Sequence, residues 1–359
     1  MNLKLSVLLP TYKRAYLLSY VLDGLRKQTY KDFDVVIVLK PSGDGTEKVI
    51  EKYRRWLSIK LVLQKQGYVV DAFNLGLKYV EGDIIAFLDD DSVPNIDWVQ
   101  RHVESYEKSN IGGVAGNVIP AKLERNKIIK IKKASHIILH DDSSSTILRA
   151  FSKVWNQPIK GMENYLVYLS KAGVVEYNPD ISHIAWHQTV KSLLGMGANM
   201  SVLSKAIRDF RFPNLWILGL AWEQFLGWHL WKRGYKLIFN PKARVYHLVH
   251  GETLTRNIKG AKKDVLRWVE NYLLFYRLYR LEPELSKLHR IAWFISSSLV
   301  NLKKLCVNKD FRQIARLKGK FYSEFIGLKW LLSRKVGGSY TPLTDLRRFI
   351  DKLEDKNFV

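Results

Sequence analysis

The segment Gly82-Asp83-Ile84-Ile85-Ala86-Phe87-Leu88-Asp89-Asp90-Asp91-Ser92-Val93-Pro94 joins two signals, an unbroken apolar run and, directly after it, three consecutive carboxylates. An apolar run that never alternates with polar residues suits a strand covered on both faces. Three adjacent carboxylates repel one another and cost stability unless something positive offsets them. Mg2+ or Mn2+ binds through one or two carboxylates together with substrate phosphates. If the chain stays extended, alternate residues share a face and Asp90 takes the other. Asp clusters also cap helices and fill solvated turns, so the triplet by itself leaves both readings open.

Four more runs of the same kind, residues 6–9, 34–39, 59–63 and 113–119, flank this one. Helical spacing fills the intervals: Leu18, Val21, Leu22 and Leu25; Val49, Ile50 and Tyr53; Val99, Val103 and Tyr106. Alternating strand and helix predicts an α/β fold with a mostly parallel central sheet and helices on both faces. Such sheets bind ligands at the C-terminal ends of their strands. The residues at those ends are Pro10-Thr11-Tyr12-Lys13-Arg14, then Lys40-Pro41-Ser42-Gly43-Asp44-Gly45-Thr46, then Gln64-Lys65-Gln66-Gly67-Tyr68, and then the acidic triplet. Ser42 or Thr46 is expected to cap the helix after the second strand.

Composition narrows the function class. Hydrophobic residues make up 47% and charged residues 26%, which excludes wholesale disorder. The single cysteine, Cys306, permits no intrachain disulfide and fits a reducing compartment. The apolar run before Pro10 is too short for a signal peptide. The longest apolar stretch, residues 291–302, is interrupted by three serines and an asparagine, so no spanning helix is expected. The net charge of +24 points to polyanions: nucleic acid, anionic lipid or phosphorylated substrates. Residues 260–359 hold 21 Lys and Arg against 10 acids, so basic density concentrates there.

The ordered set of short motifs resembles the inverting family 2 glycosyltransferases, which have the nucleotide-sugar-binding fold called GT-A. The matching residues begin with Ser6-Val7-Leu8-Leu9-Pro10-Thr11-Tyr12-Lys13-Arg14, Gln28-Thr29-Tyr30 and Phe33-Asp34-Val35-Val36-Ile37-Val38. Gly67, Ala72, Asn74, Gly76, the segment from Gly82 to Asp91, Pro94 and Trp98 follow. Gly197-Ala198-Asn199-Met200-Ser201, Trp222-Glu223, Gly234-Tyr235, Pro241 and Val245-Tyr246-His247 complete it, over roughly residues 1–250.

By this resemblance Pro10, Thr11, Tyr12 and Arg14 border the nucleotide, and Gly67, Asp71, Asn74, Asp90 and Asn199 belong to the donor site. Asp89 sits near the ribose or pyrophosphate. Asp91, the last residue of the family's Asp-x-Asp motif, binds a divalent Mg2+ or Mn2+, with Asp89 and His247 beside it. Glu223 stands at the family's catalytic carboxylate. The chain departs from the pattern in three places. Leu39-Lys40 replaces an acidic pair, one member of which usually contacts the base; Trp222-Glu223 replaces a Glu-Asp pair; and His229 stands where an arginine is common.

The chemistry asks for these residue types. Transfer breaks a C1–O bond to a diphosphate whose growing charge a metal and cations such as His247 or Arg256 stabilise. An acceptor hydroxyl needs a base as it attacks. Glu223 falls in the markedly apolar stretch of residues 218–228, expected as one helix. A lone carboxylate there is functional or ion-paired, with Lys232 or Arg233 the nearest candidates. His250 and the His140-Asp141-Asp142 run are read as structural or solvated, not as ligands.

The implied activity is transfer of a sugar from a nucleotide-diphosphate donor to a hydroxyl of a glycan or lipid-linked acceptor. The implied organisation is a donor half over 1–120, an acceptor half with the carboxylate over 121–258, and a basic, aromatic helical region over 259–359. In that last region Trp268, Tyr272, Phe275, Tyr276 and Tyr279, continued by Trp293, Phe294, Phe321, Tyr322, Phe325 and Trp330, are expected to mark an anionic membrane surface, with the protein peripheral on its cytoplasmic face. The competing readings are a polyprenyl-phosphate glycosyltransferase, whose acceptor needs no base, and a basic nucleic-acid-binding protein. No zinc-finger spacing or RNA-recognition aromatic motif supports the latter, so nucleic acid is not an expected partner.

Overall fold

The computed structural model describes residues 3–107, 110–131, 154–249, 261–335 and 338–354. The first apolar runs form four parallel strands, β1 (Leu5–Thr11), β2 (Phe33–Leu39), β3 (Ile59–Leu63) and β4 (Ile84–Leu88), lying side by side as β3-β2-β1-β4. Every residue of β4 is buried, as its unbroken apolar run requires. Helices α1 (Ala15–Arg26), α2 (Thr46–Tyr53) and α3 (Val69–Gly76) connect them. On α1 the buried positions Leu17, Leu18, Val21, Leu22 and Leu25 follow the helical period of the sequence.

Neither Ser42 nor Thr46 caps α2. The helix starts at Thr46 after a left-handed Gly45, and Asp44 takes the capping role. Its carboxylate accepts from the backbone N–H and the hydroxyl of Thr46, from Ser42 Oγ, and from the N–H of Ala15 at the start of α1. One side chain thus ties the ends of β1 and β2 together.

The chain continues through β5 (Ser92–Pro94), α4 (Trp98–Ser105), β6 (Ile111–Glu124), β7 (Lys127–Lys130), β8 (Val167–Leu169), β9 (Val175–Tyr177), α5 (Pro179–Ala185), β10 (Val190–Lys191), β11 (Asn199–Leu203), α6 (Trp222–Lys232) and β12 (Lys236–Leu248). The central sheet runs β10-β12-β6-β11-β4-β1-β2-β3. Strand β11 enters antiparallel between β4 and β6, while β6 and β12 pair in parallel. The short β5 pairs antiparallel with the end of β12, opposing Ser92 to His247.

Four helices follow: α7 (Ala261–Leu278), α8 (Lys287–Asn308), α9 (Arg312–Lys335) and α10 (Pro342–Glu354). They share a core with the sheet. One contiguous cluster joins Leu8, Phe73, Phe87 and Met200 of the strand–helix layer to Leu273, Phe275, Ile326 and Leu346 of these helices. The aromatic residues expected at a membrane face mostly point inward instead. Tyr272, Phe275, Tyr276, Trp293 and Trp330 are buried, and the Arg290 guanidinium lies over the rings of Tyr272, Phe275, Tyr276 and Trp293. Among the described residues no helix is long and apolar enough to cross a membrane.

Candidate active site

Parallel pairing of β1 with β4 sets the turn after Thr11 beside the acidic triplet. The N–H of Tyr12 donates to Asp90 Oδ2 at 3.4 Å, and the buried Arg14 guanidinium lies 3.6 Å from Asp90 Oδ1. Lys13 between them adopts φ 55°, a conformation uncommon outside glycine, so the turn is held tightly against the cleft. Burial, with the charge of Asp91, pushes the Asp90 carboxyl up to about 7 against the pull of Arg14. The carboxyl of Asp89 is raised by burial first and then by the charges of Asp91, Asp90 and Glu223.

The β5–β12 pairing brings His247 from far along the chain to this cluster. The Leu248 N–H donates to the Asp91 carbonyl at 2.8 Å, and His247 Nε2 lies 3.3 Å from Asp91 Oδ1. One ligand atom each from Asp89, Asp91 and His247 falls within 4.8 Å of the others. Two carboxylate oxygens and one imidazole nitrogen, in a pocket whose carboxylates repel one another, suit Mg2+ or Mn2+ in charge and donor type. His250, Arg256 and the His140-Asp141-Asp142 run lie outside the described residues.

Glu223 approaches the same cleft from α6. The expected helix over 218–228 starts only at Trp222, because Gly219 (φ 77°) and Ala221 (φ 65°) turn the preceding chain left-handed. That irregular loop is held from outside. The fully buried Glu270 of α7 accepts from the N–H groups of Ile217 at 2.6 Å, Leu218 at 2.9 Å and Leu220 at 3.4 Å. Near the other end of α6, Glu282 accepts from Trp228 Nε1 at 2.9 Å and pairs with Lys232 at 3.2 Å. Lys232 is therefore engaged away from Glu223, and no ion pair to Glu223 forms among the described residues. Glu223 Oε2 is shielded from solvent and accepts no hydrogen bond from a described residue. Burial raises the Glu223 carboxyl to about 7, although the N–H groups of Glu223 and Gly197 favour its ionised form.

The other expected donor-site residues divide into two kinds. Thr11, Tyr12, Arg14, Asp89 and Asp90 line the cleft where β1 and β4 end, just past Pro10. Gly67 and Asp71 form the turn into α3: Gly67 has φ 100°, a Cβ there would come within 2.5 Å of Asp71 Oδ2, and that oxygen accepts from the Tyr68 N–H at 2.7 Å. Asn74 clamps the Phe212 backbone through both side-chain atoms, at 2.9 and 2.8 Å. Asn199 is fully buried. Its oxygen accepts from Trp98 Nε1 at 2.8 Å and lies 3.0 Å from His102 Nε2, while its nitrogen donates to the carbonyls of Asn117 and Ala243. With both atoms engaged, Asn199 fastens β11 to its neighbours and has no bond left for a donor sugar.

Leu39, at one of the departures from the family pattern, is buried in the core. Lys40 points its ammonium at the Gly67 carbonyl, 3.2 Å away, and over the Tyr12 ring, which Lys13 also approaches. His229 packs against Phe210 with ring centroids 4.8 Å apart. The sequence reading missed Asp44 and Glu270. Glu270 is an acid on an otherwise apolar helical face, a signal that marks burial but not what it binds.

The family model for "Glycosyl transferase family 2" matches residues 6–164. Chondroitin synthase of Escherichia coli is 38% identical over 103 residues, covering 28% of this chain and only 15% of that protein. The UDP-Glc:alpha-D-GlcNAc-diphosphoundecaprenol beta-1,3-glucosyltransferase WfgD of Escherichia coli is 27% identical over 179 residues, 46% of this chain and 68% of that protein. A solved mannosyltransferase, PcManGT from Pyrobaculum calidifontis in complex with GDP-Man and Mn2+, aligns over 99% of this chain and 87% of that chain at 14% identity, with a TM-score of 0.50. The fold is that of the GT-A glycosyltransferases.

Proposed function

We propose, from the match of residues 6–164 to the family 2 glycosyltransferase model, that the chain transfers a sugar, with inversion, from a nucleotide diphosphate to a hydroxyl of a glycan or lipid-linked acceptor. The observation that carries this reading is the placement of Glu223, whose Oε2 is buried and without a hydrogen-bond partner among the described residues, beside the Asp89–Asp91–His247 cluster.

The acceptor oxygen forms a bond to C1 of the sugar as the C1–O bond to the diphosphate breaks. Its proton passes to Glu223 Oε2. A carboxyl near 7 is matched to that task at neutral pH, and such a base contributes roughly 10²–10⁴-fold. Asp89, Asp91 and His247 would hold Mg2+ or Mn2+, which would supply positive charge to offset that gained by a departing diphosphate. Arg14 secures Asp90 and brings a positive charge to the same wall. Lys40 only donates, so the base-side rim favours carbonyl or phosphate oxygens over ring N–H groups. Residues 1–120 supply the donor side, residues 121–258 the acceptor side and the base, and residues 259–359 the helical layer behind α6. A lipid-linked acceptor would be met at the cytoplasmic face of a membrane.

The test is calorimetric titration of UDP, GDP and dTDP with and without Mn2+, on wild type, Asp91→Ala and Glu223→Gln. One nucleotide should bind in a metal-dependent way, fail to bind Asp91→Ala, and bind Glu223→Gln normally while turnover collapses. No binding of any nucleotide would sink the reading. A mild effect of Glu223→Gln on turnover would point to an acceptor that is already an anion, such as a polyprenyl phosphate.

A further inference from the structure

Among the described residues, the outer surface of the C-terminal helices concentrates exposed large apolar side chains. On α8, Leu288, Ile291, Ile295, Leu299 and Leu302 recur at helical spacing along one line. On α9, Ile314, Phe321, Phe325, Leu328 and Leu332 do the same. All ten are between 40% and 65% exposed. The opposite faces of both helices, with Trp293, Ser296, Ala315, Ile326 and Trp330, are buried. Each helix is therefore apolar on the side that faces away from the core, where a surface helix normally carries its charges. Phe294 meets Phe321 edge to face at 5.0 Å, so the two stripes adjoin. A cavity of about 910 Å³, lined by Val265, Leu305, Ile314, Phe321, Phe325 and Phe349, opens beside them.

The charges flanking this surface are nearly all of one sign. Residues 287–335 contain 12 Lys and Arg against two acids, Asp310 and Glu324. Asp310 pairs with Arg312, and Glu324 pairs with Arg290 and accepts from Tyr276. Lys287, Lys303, Lys309, Lys318, Lys329 and Arg334 are exposed.

We infer that the outward faces of α8 and α9 dock on an anionic lipid bilayer, lying in its interface without crossing it. Large apolar side chains rimmed by lysines are what such a surface binds: the apolar stripe enters the acyl boundary and the ammonium groups reach the headgroups. The cavity beside the stripe offers an acyl chain an apolar wall. The charge pattern argues against a second copy as the cover, because a self-complementary contact would set these cations against their own equivalents. The inference concerns lipid binding and is independent of the sugar-transfer reading.

Cys306 makes the test direct. It is the only cysteine, it is exposed, and it continues the α8 stripe one turn beyond Leu302. The full chain, labelled at Cys306 with a polarity-sensitive fluorophore, is titrated with vesicles of phosphatidylcholine alone or with one third phosphatidylglycerol. A blue shift with anionic vesicles only is expected. Lys303→Gln, Lys309→Gln and Lys318→Gln together should weaken partitioning by roughly fivefold per lysine, on the order of 100-fold in all. Ile295→Ser, Leu328→Ser and Leu332→Ser should abolish it, with an unchanged melting midpoint reporting an intact fold. No shift of the wild-type label on either vesicle, or equal binding to both, overturns the inference. So does a blue shift that grows with protein concentration in the absence of lipid, which would mean that a second copy covers the stripe.

Discussion

Glu223 on α6 and Glu270 on α7 belong to two regions of this protein, the one that carries the acidic cluster and the C-terminal helices, and both carboxyls are pushed to about 7 by burial. They differ in what their oxygens meet. Glu270 accepts from three backbone N–H groups of the loop that leads into α6. Glu223 keeps one shielded oxygen without a partner among the described residues. A raised pKa therefore does not separate the proposed base from the acid that holds. The unused acceptor does, because a buried oxygen without a donor is costly unless a substrate proton is destined for it.

The comparison can be broken most directly by exchanging each carboxylate for its amide. Glu223→Gln should cut turnover by roughly 10²–10⁴-fold with little change in melting temperature. The acid limb of kcat/KM, expected near pH 7 in the wild type, should vanish in this variant. If that limb survives, the base is elsewhere. Asp91→Ala should weaken Mn2+-dependent nucleotide binding by at least about 100-fold in calorimetry, since it removes a proposed ligand and not merely a ligand's support.

Glu270→Gln reverses the pattern. It aims an NH2 group at backbone donors, which should cost about 1–3 kcal/mol of stability in denaturant melts. Turnover should fall less than in Glu223→Gln, and the acid limb should remain. The pH dependence of stability sharpens this. The folded Glu270 carboxyl lies above its ordinary 4.5, so its contribution is fully present below about pH 4.5 and lost as pH rises through about 7. Stability should accordingly fall less steeply across that window in Glu270→Gln than in wild type. Equal slopes would remove Glu270 from the explanation.

The smallest effect is expected at Asp44. Burial alone would raise its carboxyl, but hydrogen bonds from Thr46, Ala15 and Ser42 outweigh burial and hold it at about 2. The stability it adds is present above about pH 4 and lost as pH falls toward 2. The group is largely exposed, so Asp44→Ala should cost no more than about 1 kcal/mol at neutral pH, measured by thermal melts.

The aromatic C-terminal region shows where reading the sequence misleads. Aromatic and basic residues were legible there, but their direction was not. Of the expected aromatic set, Tyr272, Tyr276 and Trp293 turned inward around Arg290 while Phe321 and Phe325 face outward among aliphatic residues. Both sets recur at helical spacing, so periodicity alone could not say which face meets the core. Asn199 is a similar case: its place in the motif was readable, but its role follows from four neighbours on α4, β6 and β12.

By itself the sequence determined the alternation of strand and helix, the parallel half of the sheet and the acidic triplet at its C-terminal edge. Those features are written in neighbouring residues, where apolar runs, helical spacing and turn chemistry act locally. Only the tertiary structure decided that Glu270 props the loop before Glu223 and which stripe of α8 and α9 faces out, whereas His247 beside Asp91 was already implied by the family resemblance. Burial, hydrogen-bond satisfaction and the charge felt by a group depend on residues brought together from distant positions, and no local pattern records those meetings.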